Sequence, residues 1–427
     1  MRRFVRPPRH PSDPFAWNLL VALVFLALCL IRLAIPSEPF FDEVHYLPAA
    51  RAIADLSHPV NVEHPPLAKQ IIAFGMGLAG DNPWGWRIMS ALFGTLALFA
   101  GMRAMWFASC TRTASLLTGF FLLTGFVLLV QSRIAMLDVF TVAFVMLALW
   151  MCAGAVREAE TGRWRLAIAG VALGCAMASK WNAVPVAMAP GIAFFVARLM
   201  AGRRRLVLSR RGAPVAGMTL WEAAIWLGAV PLLVYALCFW PALFYERGAI
   251  GMGGFLDLQR EMIGLQESVK ETHPYQSTWW QWVSNWRAIW YLYENIDGAQ
   301  RGVLLIGNPL SSLALIPALA WCGWAAWTRR RFDCLGVVVL YLAALTLWLV
   351  APKPVQFYYH YVLPHCFGMA ALALAMEAMW KAGRRAVPAF VVAGTGALFV
   401  WFYPILSAAP LDGEMAFLEW AWLESWR

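Results

Sequence analysis

Eleven apolar runs follow one another along this chain, at about 15–35, 87–107, 114–131, 136–155, 165–179, 183–200, 220–240, 303–327, 335–351, 361–380 and 387–406. A helix needs roughly 20 mostly apolar residues to cross a hydrocarbon core, where each backbone N–H and C=O must be paired within the protein. Runs of that length repeated through 427 residues leave little chain for a soluble core. The composition agrees: 61% of residues are hydrophobic and 14% charged, where soluble domains carry about 25% charged residues. The expected fold is an all-α integral membrane protein of about eleven transmembrane helices, forming a single membrane-embedded domain over 1–427.

Basic residues orient the spans, because short cytoplasmic loops accumulate Lys and Arg. With the N-terminus inside, 21 of the 34 basic residues fall in short inner segments: Arg2, Arg3, Arg6 and Arg9, then Arg103, Arg112, Arg157, Arg163 and Arg165. Arg198, Arg203, Arg204, Arg205, Arg210, Arg211, Arg329, Arg330, Arg331, Lys381, Arg384 and Arg385 complete the set. Residues 1–14 are then a cytoplasmic tail, and 36–86 and 241–302 are outer loops. The C-terminus and any active site face the periplasm or cell exterior, and the short tails suggest a bacterial inner membrane. The net charge of +10 is mostly topology, so a nucleic-acid partner is not expected. The first run has the basic flank of a signal peptide but no small-residue cleavage site, and reads as a retained anchor. The eight cysteines lie in or beside apolar runs without CxxC spacing and read as small core residues.

Assigning sides gathers the unusual residues on the outer face. Ionisable groups at a membrane boundary are costly, which makes them functional candidates. Glu38-Pro-Phe-Phe-Asp-Glu-Val-His-Tyr46 supplies Asp42, Glu43 and His45 just after the first run. A carboxylate at a wet edge beside apolar walls can act as a general base. Adjacent helical residues point about 100° apart, so one of Asp42 and Glu43 faces a given substrate. Glu63-His64-Pro-Pro-Leu-Ala-Lys69 adds Glu63, His64 and Lys69 at the start of a second helix. Arg87 opens the second run, and a guanidinium fork suits a phosphate. Arg133 and Asp138 share the next outer turn, where they can pair with each other, and Lys180 stands at the turn after it. The aromatics Trp279, Trp280, Trp282, Trp286, Trp290, Tyr291 and Tyr293 repeat at roughly helical spacing, as in an amphipathic helix at headgroup level.

Phe41-Asp-Glu-Val-His-Tyr46, His64-Pro-Pro-Leu-Ala-Lys69, Asn82-Pro-Trp-Gly-Trp-Arg87 and Ser132-Arg-Ile-Ala-Met-Leu-Asp138 occur in one order. Ser179-Lys-Trp181, His273-Pro-Tyr-Gln-Ser277 with Trp282, and Tyr358-Tyr-His-Tyr361 continue it. In that order the chain resembles the protein O-mannosyltransferases over about 40–400. The resemblance implies the C-type glycosyltransferase fold and a polyprenyl-phosphate-linked sugar donor, with a protein or lipid acceptor beside membrane lipid. It implies Asp42 as the base for the acceptor hydroxyl and Glu43 as its pocket neighbour. It implies Arg87 near the carrier phosphate and Lys69, Lys180 and Arg133 in or near the site, where these cations are expected to help bind the donor phosphate. His64, Glu63, His45, His273, Tyr275, Asp138, Tyr358 and His360 are implied in or near the pocket. Eukaryotic members carry a large soluble insert where this chain has only about 60 residues, so a lipid or surface glycan is an alternative acceptor. Same-fold relatives that modify lipid A carry a basic residue where His64 stands.

The chemistry needs a base for the incoming hydroxyl and cations for the leaving phosphate. Asp42 and Arg87 are expected to meet at one cavity for this purpose. No cofactor is required; a divalent metal on Glu63, His64 and His273 is the open possibility. A transporter would show interrupted helices in two related halves, and no such halves are visible.

Overall fold

Three capped boundaries explain where several of the long helices begin. Asn82 accepts from the backbone N–H groups of Trp84 and Gly85 with Pro83 at the first helical position, Asn308 accepts from Leu310 N with Pro309 beside it, and Thr219 and Glu222 form a reciprocal capping box. The computed structural model describes residues 13–201, 207–209, 213–251, 253–268, 273–351, 353 and 355–427. Arg2, Arg3, Arg6, Arg9, Arg203, Arg204, Arg205, Arg210 and Arg211, used above for orientation, lie outside the described residues.

The chain runs through α1 (Phe15–Leu30), α2 (Glu43–Ala54), α3 (Leu67–Ala79), α4 (Pro83–Ser109), α5 (Arg112–Thr124), α6 (Val127–Gln131), α7 (Asp138–Arg157), α8 (Gly162–Ser179) and α9 (Val184–Ala201). It continues with α10 (Leu220–Ala224) and α11 (Val230–Leu237), joined by a π turn, then α12 (Phe255–Ser268) and α13 (Trp279–Val283). A hairpin of β1 (Ile289–Ile296) and β2 (Ala299–Leu305) precedes α14 (Pro309–Arg329), α15 (Phe332–Val350), α16 (Val362–Lys381) and α17 (Ala386–Leu406).

Among the described residues, eight helices are long and apolar enough to cross a membrane. The count of eleven is therefore not confirmed, although helix covers most of each expected run; the run expected at 303–327 begins on β2 and becomes helical at Pro309. The first holds only 16 residues. The third breaks at Gly125-Phe126, where Phe126 has φ 73°, into α5 and α6. Arg163 and Arg165 in the first turn of α8 lower its hydropathy. α16 runs through the middle of the bundle against α14, α15 and α5, and is the most enclosed span. Its His365 and Glu377 are themselves buried, so it has no polar face to turn outward.

The aromatic segment departs from the helix expected of it. α13 is one short helix, and Trp290, Tyr291 and Tyr293 lie on β1, paired antiparallel with β2. Asp297 and Gly298 both have positive φ, 51° and 73°, as a two-residue hairpin turn demands. Trp290, Tyr291 and Leu292 are buried, so the strand serves as core, and its side chains are not an exposed membrane anchor.

Close packing sets the end of the bundle where α7 begins. A Cβ on Gly94 of α4 would lie 1.8 Å from Ser132 Oγ, so only glycine lets α4 approach the turn before α7 this closely. That turn delivers Asp138 to the first residue of α7, facing Lys180 just past the end of α8.

Candidate active site

Asp42 and Glu43 are neighbours in sequence with opposite surroundings. Glu43, fully buried, takes Arg87 bidentately: Oε1 from Nε and Oε2 from Nη2, both at 2.8 Å. The same carboxylate accepts from Ala135 N at 2.9 Å. Arg87 gives its other donors to the carbonyls of Leu33, Pro36 and Glu38. Every strong group is satisfied, and the pair ties the 33–43 segment to α4 and to the turn before α7. This corrects two expectations. Arg87 has no exposed face for a phosphate and Glu43 none for a substrate, because each is consumed by the other. Asp42 and Arg87 therefore do not meet at a cavity.

Asp42 points the other way. It is half-buried, with Oδ2 3.5 Å from the Tyr46 hydroxyl. Burial raises its carboxyl above the usual range, an effect the nearby Lys180, His45 and Lys353 partly offset. The preceding residue, Phe41, holds φ at 51° and stacks on Tyr291 with ring centroids 4.1 Å apart. A bulky residue in that backbone region costs about 1–2 kcal/mol. The stack helps hold the turn that directs Asp42 outward.

Three more expected site residues are structural. Arg133 lies at the end of α1, donating to the carbonyls of Leu28 (3.2 Å), Cys29 (2.5 Å) and Ile31 (2.7 Å) and to Ser407 O. It satisfies carbonyls that a helix terminus leaves unpaired, so it neither pairs with Asp138 nor faces a phosphate. Lys69 is buried and gives its ammonium to Asn61 O at 2.5 Å and His64 O at 2.8 Å, holding the loop that carries His64. Tyr358 donates to Asn285 Oδ1 at 2.7 Å and accepts from Gly307 N at 2.9 Å in the interior.

The remaining candidates converge. Lys180 Nζ donates to Asp138 Oδ2 at 2.7 Å and lies 4.9 Å from the centre of the Tyr359 ring. Among the described residues, Asp138 Oδ1 is buried with no hydrogen-bond partner. A cavity of about 220 Å³ opens beside this pair, lined by Glu63, His64, Lys180, Gln266, Trp348 and Lys353. Gln266 organises its wall: it accepts from Lys353 Nζ at 3.1 Å, donates to Glu63 O at 2.8 Å, and lies 3.3 Å from His64 Nδ1. Burial, reinforced by Lys180 and Lys353, pushes His64 well below the ordinary imidazole range. Burial and the charge of Lys180 bring Lys353 down to about 8.

His360 stacks on Trp348 at 3.9 Å, and its Nδ1 accepts from Phe357 N, which makes it the packed wall behind the cavity. His273 is exposed against Phe357, with Tyr275 next to it, and neither lines the cavity; His45 is exposed beside Asp42. Among the described residues no three His, Cys, Asp or Glu side chains gather as a metal would need. Glu63, His64 and His273 therefore do not form a ligand set.

Lys353, Gln266, Tyr359 and Trp348 are absent from the sequence-based set. Lys353 had a signal, a lone cation within Pro352-Lys353-Pro354 between two apolar runs. Gln266 had none, since only the fold brings α12 against the 61–64 loop.

The family model for dolichyl-phosphate-mannose-protein mannosyltransferase matches residues 63–240. The model for the C-terminal four-helix transmembrane region of protein O-mannosyltransferase matches 252–426. A polyprenol-phosphate-mannose--protein mannosyltransferase of Mycobacterium tuberculosis is 28% identical over 96% of this chain and 90% of its own length. Its counterpart from Mycolicibacterium smegmatis is 28% identical over 98% and 94%. Among solved structures, the S. cerevisiae protein O-mannosyltransferase Pmt1-Pmt2 complex bound to the sugar donor aligns with TM-score 0.80 and 14% identity, covering 96% of this chain and 92% of that one. ArnT of Cupriavidus metallidurans bound to undecaprenyl phosphate aligns with TM-score 0.60 and 17% identity, covering 90% and 64%. The shared fold is that of the C-type glycosyltransferases.

Proposed function

Because the chain belongs to the protein O-mannosyltransferase family, we propose that it moves mannose from a polyprenyl-phosphate carrier to a Ser or Thr hydroxyl of an exported protein. Transfer takes place on the outer membrane face, with inversion at the anomeric carbon. The chain is a multi-pass membrane glycosyltransferase. The observation that carries the finer reading is the divergence of two carboxylates. Glu43 is closed by Arg87, while Asp42 stands free within electrostatic reach of Lys180 and Lys353.

In this arrangement Asp42 takes the proton of the acceptor hydroxyl as that oxygen attacks the anomeric carbon. The bond from that carbon to the carrier phosphate breaks in line, and the polyprenyl phosphate leaves with the electron pair. A phosphate leaving group needs no proton donor, but it does need cations where its charge develops. Lys180 and Lys353 fill that role, which passes from Arg87 to these two lysines. Asp138 positions Lys180 through one ammonium proton and leaves two for the phosphate. His64, pushed toward its neutral form, contributes a hydrogen-bonding ring without adding a third charge. An attack from the face opposite the leaving group inverts the centre, as in other single displacements.

The test is transfer by the purified protein from labelled polyprenyl-phosphate-mannose to a Ser/Thr-rich peptide. Label in the peptide, with the anomeric configuration inverted, is the expected result. Label appearing only in lipid would shift the assignment to the lipid-modifying alternative.

A further inference from the structure

A second cavity, of about 550 Å³, lies at the opposite end of the bundle. α7 spans the distance: Asp138 at its start faces the candidate active site, and Arg157 at its end lines this cavity. Arg329 comes from the end of α14, Arg331 from the turn that follows it, and Lys381 from the end of α16. Three separate segments thus bring four cations to one concavity, with Asp333 and Glu377 as the carboxylates.

Both carboxylates are already paired, Asp333 with Arg331 and Glu377 with Lys381. Among the described residues, Arg157 and Arg329 have no acid of their own in the cavity. Arg157 donates through Nε to Phe107 O at 2.7 Å and through Nη2 to Ala108 O at 2.9 Å, which anchors its guanidinium and leaves Nη1 for a ligand. Arg329 lies 4.7 Å over the Trp324 ring.

The depth of the cavity is marked independently. Trp327 and Phe332 beside it are 87% and 77% exposed, and Trp380 is exposed too. Exposed tryptophans at span ends mark the headgroup layer. Ordinary loop cations at this layer are separate and solvated; here they converge on a concavity between spanning helices, the arrangement that suits anionic headgroups.

We propose that this cavity binds the phosphate headgroup of an anionic membrane lipid, through the guanidinium groups of Arg157 and Arg329. The ligand chemistry is a phosphate oxyanion at the membrane interface, at a site separate from the sugar-transfer chemistry.

The test uses the full-length protein in neutral detergent, titrated with phosphatidylglycerol or phosphatidylcholine in mixed micelles. Native mass spectrometry reads the bound lipid and thermal unfolding reads its effect. One retained phosphatidylglycerol and a raised midpoint are expected, with no matching response to phosphatidylcholine. Arg329→Gln should weaken retention about fivefold, the effect of one Lys or Arg at an anionic surface. Arg385→Gln, at the same end but outside the cavity, should leave it unchanged. Equal retention of both lipids overturns the proposal, as does equal weakening by Arg385→Gln. A midpoint shift with inorganic phosphate and none with phosphatidylglycerol overturns the lipid source. Should Arg329→Gln fail to fold, the comparison of the two lipids on the unmodified protein decides.

Discussion

The two faces of the segment that begins α2 use the same chemistry to opposite ends. Behind it, Glu43 and Arg87 form a closed network in which carboxylate, guanidinium, carbonyls and a backbone N–H are mutually satisfied. In front of it, Asp42, Asp138, Lys180 and Lys353 form an open one, with an unpartnered carboxylate oxygen and a cavity alongside. A buried ion pair with every group used stabilises a register. A group of ions with unused donors and acceptors is ready for a ligand. Burial alone does not separate the two roles; completeness of pairing does.

The largest effect should come from the open side. Asp42→Asn is expected to lower turnover roughly 10³-fold, within the range for losing a positioned general base, while donor binding and thermal stability stay near those of the unmodified protein. Single-turnover transfer assays and thermal unfolding check this, and near-normal turnover would remove Asp42 from its role.

On the closed side, Arg87→Ala is expected to destabilise the fold by about 3–5 kcal/mol, because it strands a buried carboxylate. The paired replacement Glu43→Leu with Arg87→Met should lose much less, since no charge is left alone. A stably folded Arg87→Ala protein with weakened donor affinity would return Arg87 to the phosphate.

Lys353→Gln tests the boundary of the open network through pH. A base with a raised pKa loses its active form as pH falls through that pKa, so the acid limb for Asp42 lies above the ordinary carboxylate value of about 4. A lysine brought down to about 8 loses its charge as pH rises past that value, so donor affinity should fade there. Lys353→Gln should weaken donor binding roughly tenfold, a charged hydrogen bond's worth, and abolish the alkaline limb. An unchanged alkaline limb would assign it to another group.

The smallest effect belongs to the hinge between the two faces. Phe41→Gly relieves the positive φ but loses the stack on Tyr291, two terms of about 1 kcal/mol each that oppose one another. Stability should change little while turnover falls several-fold; unchanged turnover would mean that Asp42 is oriented without Phe41.

Much of this was legible in the chain. The apolar runs located the helices, because a span length is imposed by the bilayer and written in consecutive residues. The motif around Asp42 pointed to the segment, and the 100° offset of adjacent helical residues implied that only one of Asp42 and Glu43 would face a substrate, without saying which. What escaped were pairings between distant segments. Arg133 gave no sign that it would sit on the carbonyls ending α1, nor Lys180 that it would take Asp138. The hairpin was missed because its aromatics also fit a helical period, although Asp297-Gly298 marked the turn.

By itself, the sequence determined that this chain lives in a membrane, which family it belongs to and which segment between its apolar runs gathers polar residues. These follow from local composition and the order of short motifs. Only the tertiary structure decided which of those residues are spent and which are free. Whether a charge is satisfied depends on partners tens or hundreds of residues away, and their distances exist only once the helices have packed.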